Sequence, residues 1–118
     1  IDVSRTSIST VRSSSLPARS CARSRSRVWL GCSGAVPSAA IRQYHLAGHT
    51  DHGYYLFDTH NAPVADPVWA LYEGVIARTG PLPTLIEWDN DVPAWPALAA
   101  EARRAKTLLD RAAARRAA

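Results

Sequence analysis

All four histidines of this chain fall in one short region: His45-Leu-Ala-Gly-His49-Thr-Asp-His52, then Asp58-Thr-His60. Further on comes Glu87-Trp-Asp89. Imidazole nitrogens and carboxylate oxygens are ligands for borderline and hard metal ions. Gathered at what read as strand ends, they are the raw material of a metal site. Mixed His/carboxylate ligation suits iron, manganese or zinc. With no cysteine near the cluster, a structural zinc site is disfavoured. The candidate ligands are His45, His49, Asp58, His60 and Glu87. Each has an ordinary alternative. His45 could be a packed, hydrogen-bonded core histidine, and His49 and His60 loop histidines. Asp58 could be a loop cap and Glu87 half of an internal salt bridge. His52, in the turn-like Thr-Asp-His-Gly, is expected to be exposed or to sit behind the ligands. Asp89 is balanced between a loop carboxylate and a place at the site.

The elements that must position these groups can be read from pattern. Ile41-Arg-Gln-Tyr-His45-Leu46 reads as a strand ending at Ala47-Gly48, and Thr84-Leu-Ile-Glu87-Trp88 as a second. A short strand fits Tyr54–Phe57. Side chains alternate faces along a strand, so His45 shares a face with Gln43 and Glu87 with Leu85, while Ile86 and Trp88 point towards the helices. A buried inward-facing glutamate needs a partner, because an unpaired buried carboxylate is costly. A cation or an arginine would serve. Gly48 lets the backbone turn sharply, so His49 can approach the same space. Asp58 and His60, two apart on an extended segment, point the same way.

Between the strands, Asp66-Pro67 opens a helix with Asp66 as its cap and Pro67 at its first position. Val68, Leu71, Tyr72, Val75 and Ile76 form its apolar stripe, and Trp69 joins the core. Gly80-Pro81 ends it. A last helix spans about Pro96 to Arg115, with Leu98, Ala102, Ala105, Leu109 and Ala112 inward. Strand, helix, strand, helix implies parallel β/α units. In such folds ligands gather at the carboxyl ends of strands, where His45–His49 and Glu87–Asp89 lie. Two units cannot close a sheet or cover both its faces, so a larger fold is expected. A chain beginning with Ile1 is likewise expected to be a piece of something longer. The exposed sheet flanks predict poor solubility or dependence on other chains.

The net charge of +4 over 118 residues is unevenly spread. Six arginines fall between Arg5 and Arg27, and six basic residues between Arg103 and Arg116. From Arg42 to Leu98, seven acids face only Arg42 and Arg78. The region with chemistry is acidic, as a cation site should be. Residues 1–39 form an irregular Arg/Ser-rich segment without periodicity, from which weak or no stable structure is expected. Residues 40–118 are the ordered part. A basic arm can bind nucleic acid through phosphate contacts, and a similar composition marks organellar transit peptides. No recognised nucleic-acid fold follows it, so nucleic acid is the weaker reading. No apolar run approaches membrane-spanning length. Cys21 and Cys32 fit neither a zinc ribbon nor a CxxC motif, and a reducing cytoplasm is the default location.

Taken together, Ile41-Arg-Gln-Tyr-His45-Leu-Ala-Gly-His49, Asp58-Thr-His60, Asp66-Pro-Val-Trp69 and Thr84-Leu-Ile-Glu87-Trp-Asp89 resemble the C-terminal part of one enzyme family. It is the family of multinuclear non-haem iron oxidative enzymes that includes the oxidase of methanobactin biosynthesis. The resemblance spans roughly residues 40 to 110. It implies an α/β fold, here the C-terminal portion of a TIM-type (β/α)8 barrel holding two or three iron ions. It implies an oxidoreductase that reworks cysteine residues of a ribosomally made precursor peptide with dioxygen, in some members with a peptide-presenting partner protein. On this pattern His45 and Glu87 look like iron ligands at successive strand ends. Asp58 and His60 look like ligands of a further iron, with His49 in the same cluster. The upstream half of the barrel is missing, and with it further ligands, so the chain alone is expected to be inactive. Ile1-Asp2-Val3 resembles the end of a preceding strand. Residues 4 to about 38 then depart from the pattern, as a displaced reading frame of a GC-rich gene would. The alternative within enzymes is a divalent-metal TIM-barrel hydrolase or isomerase.

Overall fold

The computed structural model describes residues 6–7 and 37–118. The remainder of the Arg/Ser-rich segment, including Ile1-Asp2-Val3 and Val28-Trp29-Leu30, lies outside the described residues. In chain order the elements are β1 (Thr6–Ser7), a 3-10 turn (Ser38–Ala40), β2 (Tyr44–Ala47), β3 (Thr50–Asp51), β4 (Leu56–Phe57), α1 (Asp66–Thr79), β5 (Thr84–Glu87) and α2 (Trp95–Ala117). β1, β2 and β5 form a parallel sheet in that order. β3 and β4 form a separate antiparallel hairpin. The β2–α1–β5–α2 alternation is the pair of parallel β/α units that the pattern predicts. The chain is therefore a mixed α/β structure with two helices on a parallel sheet.

The core lies between the sheet and the helices. Tyr44 and Leu46 from β2 meet Val68, Trp69, Tyr72, Val75 and Ile76 from α1 and Ala105, Leu108 and Ala112 from α2. Tyr44 and Trp69 each pack edge-on against Tyr72, with ring centroids 5.7 and 6.1 Å apart, the geometry the ring quadrupole favours. The buried hydroxyls are satisfied. Tyr72 Oη bonds Thr84 Oγ1 at 2.7 Å, and Tyr44 Oη bonds Thr79 Oγ1 and donates to the Gly80 carbonyl. These bonds tie β5 to the middle of α1 and β2 to its C-terminal end. Gly80 closes α1 at φ 100, its N–H donating to the Ile76 carbonyl, a conformation that suits glycine.

Two expectations need correction. Asp66 is the first residue of α1, not its cap; Ala65 holds that position, and no side chain caps it. The Asp66 carboxylate instead accepts from Arg104 of α2 at 3.1 Å, while the same guanidinium lies 4.7 Å over the Trp69 ring. Both charged groups are largely exposed, so the pair contributes little. Asp66→Ala should therefore cost no more than about 0.5 kcal/mol, against roughly 1 kcal/mol for a lost cap; a denaturant titration separates the two.

The second correction concerns α2. Its buried stripe is Ala105, Leu108 and Ala112, with Leu109 only partly buried and Ala102 exposed. The helix packs with a face rotated from the expected one. Leu98, Ala102 and Leu109 border an open apolar groove with Leu85 and Trp95 beside β5. Among the described residues, no helix is long and apolar enough to cross a membrane.

Candidate metal centre

β2 and β5 run in register, with His45 opposite Leu85 and Ala47 opposite Glu87. Alternation puts Tyr44, Leu46 and Ile86 on the helix side and His45 and Glu87 on the other. His45 is almost wholly buried. Its Nδ1 donates to Glu87 Oε1 at 2.5 Å. An ionised carboxylate can only accept, so this bond puts a proton on Nδ1 and turns Nε2 away from Glu87. That Nε2 is buried and has no hydrogen-bond partner. An imidazole with one nitrogen on a carboxylate and the other bare is the usual disposition of a metal-ligating histidine.

His60 reaches the same place from the loop after β4. Its Nε2 lies 3.0 Å from Asp58 Oδ1, and its Nδ1 lies 2.9 Å from Asp89 Oδ2 and 3.6 Å from Glu87 Oε2. Glu87 thus stands between the two imidazoles. Nδ1 hydrogen-bonds Asp89, and Nε2 lies within ion-pair reach of Asp58, so the surroundings favour the protonated ring. Burial pulls the His60 pKa down, but the hydrogen bond to Asp89 and the charges of Asp58, Glu87 and Asp89 outweigh it, leaving the pKa above the ordinary 6.5.

The backbone that delivers His60 is unusual. Its φ is 50°, a region few non-glycine residues occupy and one that costs of order 1–3 kcal/mol. Surrounding bonds hold it there. The His60 N–H donates to the Gly48 carbonyl at 3.1 Å, and its carbonyl accepts from the N–H groups of Asp89 and Asn90. Gly48 makes this approach possible. A Cβ there would meet the Ala62 carbonyl oxygen at 1.9 Å. The glycine is needed for closeness to the 58–63 loop rather than for the sharp turn the sequence suggested; its φ is not among the left-handed ones.

The structure therefore brings together four of the five candidate ligands, His45, Asp58, His60 and Glu87. It adds Asp89, whose role was open in the sequence. The signal was present: Glu87-Trp-Asp89 puts two carboxylates at the end of one strand. His49 is half-buried and, among the described residues, makes no hydrogen bond or ion pair with the other four. His52 is exposed and stacks on Tyr55, with centroids 4.7 Å apart, in keeping with a place outside the ligands.

The donor chemistry suits a cation: two imidazoles, three carboxylates and a bare buried Nε2. Among the described residues, however, no group of three or more His, Cys, Asp or Glu side chains stands ready to hold a metal ion as the side chains lie. They pair with one another instead, His45 with Glu87 and His60 with Asp58 and Asp89. A cation there would need His60 neutral, because ligating histidine must be.

This yields a prediction with a definite sign. In the metal-free chain the bonds to protonated His60 contribute stability that is fully present below pH 6.5 and lost as pH rises through the raised folded value. Asp89→Asn should lower the His60 pKa towards 6.5, as read from its ring protons in an NMR pH titration. An unchanged midpoint would contradict the assigned contact.

The sequence pattern of one family, described as the RiPP precursor modification enzyme family MbnB/TglH/ChrH, matches residues 30–110. The chain belongs to that family. Relatives within it carry the name UPF0276 protein. One from Acaryochloris marina is 49% identical over 75 residues, covering 64% of this chain and 27% of its own length. One from Rhizobium meliloti is 52% identical over 83 residues, covering 66% and 27%. One from Caulobacter sp. strain K31 is 53% identical over 85 residues, covering 70% and 31%. The chain thus spans only about 27–31% of the length of these curated relatives. No solved structure matches it. The matched span includes every member of the cluster described above, so the family's pattern and the His/carboxylate centre coincide.

Proposed function

We propose that this chain carries the C-terminal part of the metal centre of an iron-dependent oxidative enzyme that modifies cysteine residues of a ribosomally made precursor peptide. The observation that carries this reading is the buried, partnerless Nε2 of His45 beside Glu87, inside the span matched by a peptide-modifying family. His45 and Glu87 would hold one iron, and Asp58 and His60, with Asp89, a further one; His49 would join them from the turn after Gly48. Two or three irons are proposed, as the resemblance implies, within a TIM-type barrel completed by the rest of the protein. Iron in such a His/carboxylate site supplies redox chemistry towards dioxygen and open positions for a substrate thiolate.

The residues of this chain have separable tasks. Glu87 orients His45 through Nδ1 and screens the two imidazoles from each other. Asp58 and Asp89 flank the His60 ring and would orient it towards a cation. The precursor peptide is the proposed substrate, and a peptide-presenting protein the proposed further partner. The cytoplasm is the proposed location. The chain alone should not turn over, since it spans less than a third of its relatives.

The test is made in a full-length relative such as the Rhizobium meliloti protein. Loaded with iron and given a cysteine-bearing precursor peptide, it should consume dioxygen and change the peptide's mass. Substitution of the glutamate matching Glu87 by Gln should abolish both. A protein equally active with zinc and without dioxygen would instead be a divalent-metal hydrolase or isomerase.

A further inference from the structure

We propose that Asn90 is a positioning residue for His60, locking the peptide planes on either side of it so that its ring stands between Asp58, Glu87 and Asp89. The inference rests on the reading of the cluster as a metal centre, but its geometry stands apart from any ion.

Two peptide planes flank the Cα of His60. In the plane before it, the Thr59 carbonyl accepts from Asn90 Nδ2 at 2.8 Å, and the His60 N–H donates to the Gly48 carbonyl at 3.1 Å. In the plane after it, the His60 carbonyl accepts from the N–H groups of Asp89, at 2.9 Å, and Asn90, at 3.1 Å. Asn90 therefore touches both planes, one through its side chain and one through its backbone. Fixing both planes fixes φ and ψ at His60, and so the direction of its Cβ. Without such bonds a histidine would relax out of the left-handed region. Asp91, next to Asn90, has φ 49°; His60 and Asp91 are the two non-glycine residues with positive φ among those described. The backbone bonds survive any substitution at position 90 that keeps its N–H. The bond to Thr59 depends on the side-chain amide alone. Aspartate, which ionised can only accept, could not make it.

The same loop is tied on its other side. Thr59 Oγ1 donates to Asn61 Oδ1 at 2.5 Å and shares a bond with Thr50 Oγ1 at 3.0 Å. That network anchors the loop to the β3–β4 hairpin but touches neither carbonyl beside His60. Asn90 is the residue whose loss should move the ring rather than the loop.

The test compares the full chain with Asn90→Ala and Asn90→Gln. Long-range proton–nitrogen NMR spectra read the ring nitrogens of His45 and His60 without metal, and calorimetry reads Co(II) binding. In Asn90→Ala the His60 ring signals should shift to those of a freely rotating imidazole while His45, held by Glu87, stays unchanged. Co(II) affinity should fall by about 10–100-fold, the usual effect of removing a group that orients a ligand. Asn90→Gln, which keeps the amide, should recover part of both. The proposal is overturned if Asn90→Ala leaves the His60 ring unchanged, or disturbs His45 and His60 together, or if Gln recovers nothing. If the unsubstituted chain takes up no Co(II), this part of the centre does not bind a metal by itself, and the metal-free spectra still decide the role of Asn90.

Discussion

Gly48→Ala is expected to lower the melting temperature of the chain by roughly 10–20 °C and to dismantle the His60 side of the cluster. The added methyl would sit 1.9 Å from the Ala62 carbonyl oxygen, 2.4 Å from its carbon and 2.8 Å from the Pro63 oxygen. All three are backbone atoms, so no rotamer change relieves the clash. Either β2 or the 58–63 loop must move. Overpacking of this kind typically costs about 1–3 kcal/mol, and rigid backbone neighbours put this case at the upper end. In a domain of this size each kcal/mol shifts the transition by about 4–8 °C. A retreat of the loop from the strand end would break the bond from the His60 N–H to the Gly48 carbonyl, one of those that hold His60 in its left-handed conformation. A circular-dichroism melt, with His60 ring signals recorded alongside, checks both parts. A transition unchanged within about 2 °C would mean that the loop does not approach the strand as described.

Glu87→Gln should have the largest effect on metal binding, a loss of about 100-fold or more in affinity for Fe(II) or Co(II). Substituting groups that merely orient ligands costs 10–100-fold, and Glu87 is proposed both to orient His45 and to bind. It is also the carboxylate that lies against both imidazoles. Glutamine keeps the size and can still accept from His45 Nδ1, so the fold should persist while the charge is lost. Calorimetric titration under anaerobic conditions measures the change, with the melting temperature as control. Affinity retained within a few-fold would remove Glu87 from the metal centre.

Much of this arrangement was legible in the residues. The β/α alternation followed from Asp66-Pro67, the apolar spacing of α1 and Gly80-Pro81, because these are local signals. The convergence of His45 with Glu87 followed from strand alternation and parallel pairing. What could not be read depends on loop approach. Nothing in Asp58-Thr-His60 announces a left-handed histidine, which is held by carbonyl and N–H groups from segments distant in sequence. Gly48 invited a turn argument, yet it serves a close backbone contact that requires knowing where Ala62 lies. Asp66 had a cap's sequence context and a different partner, because Arg104 is brought to it by helix packing. The inward face of α2 was misjudged by part of a turn, because a spacing pattern does not tell which side of a helix the sheet's edge leaves open. Asp89 was undecided for the same reason as His60: its place is set by the loop it meets.

The most direct test of the central claim is a Co(II) titration of the chain followed at the ring nitrogens of His45 and His60. The account predicts saturable changes at both rings, reversal by a chelator, and no such changes in Glu87→Gln. If both rings keep their metal-free signals with Co(II) in large excess while the chain remains folded, and the Rhizobium meliloti relative likewise takes up no metal, the cluster is an internal hydrogen-bond network and not a metal centre.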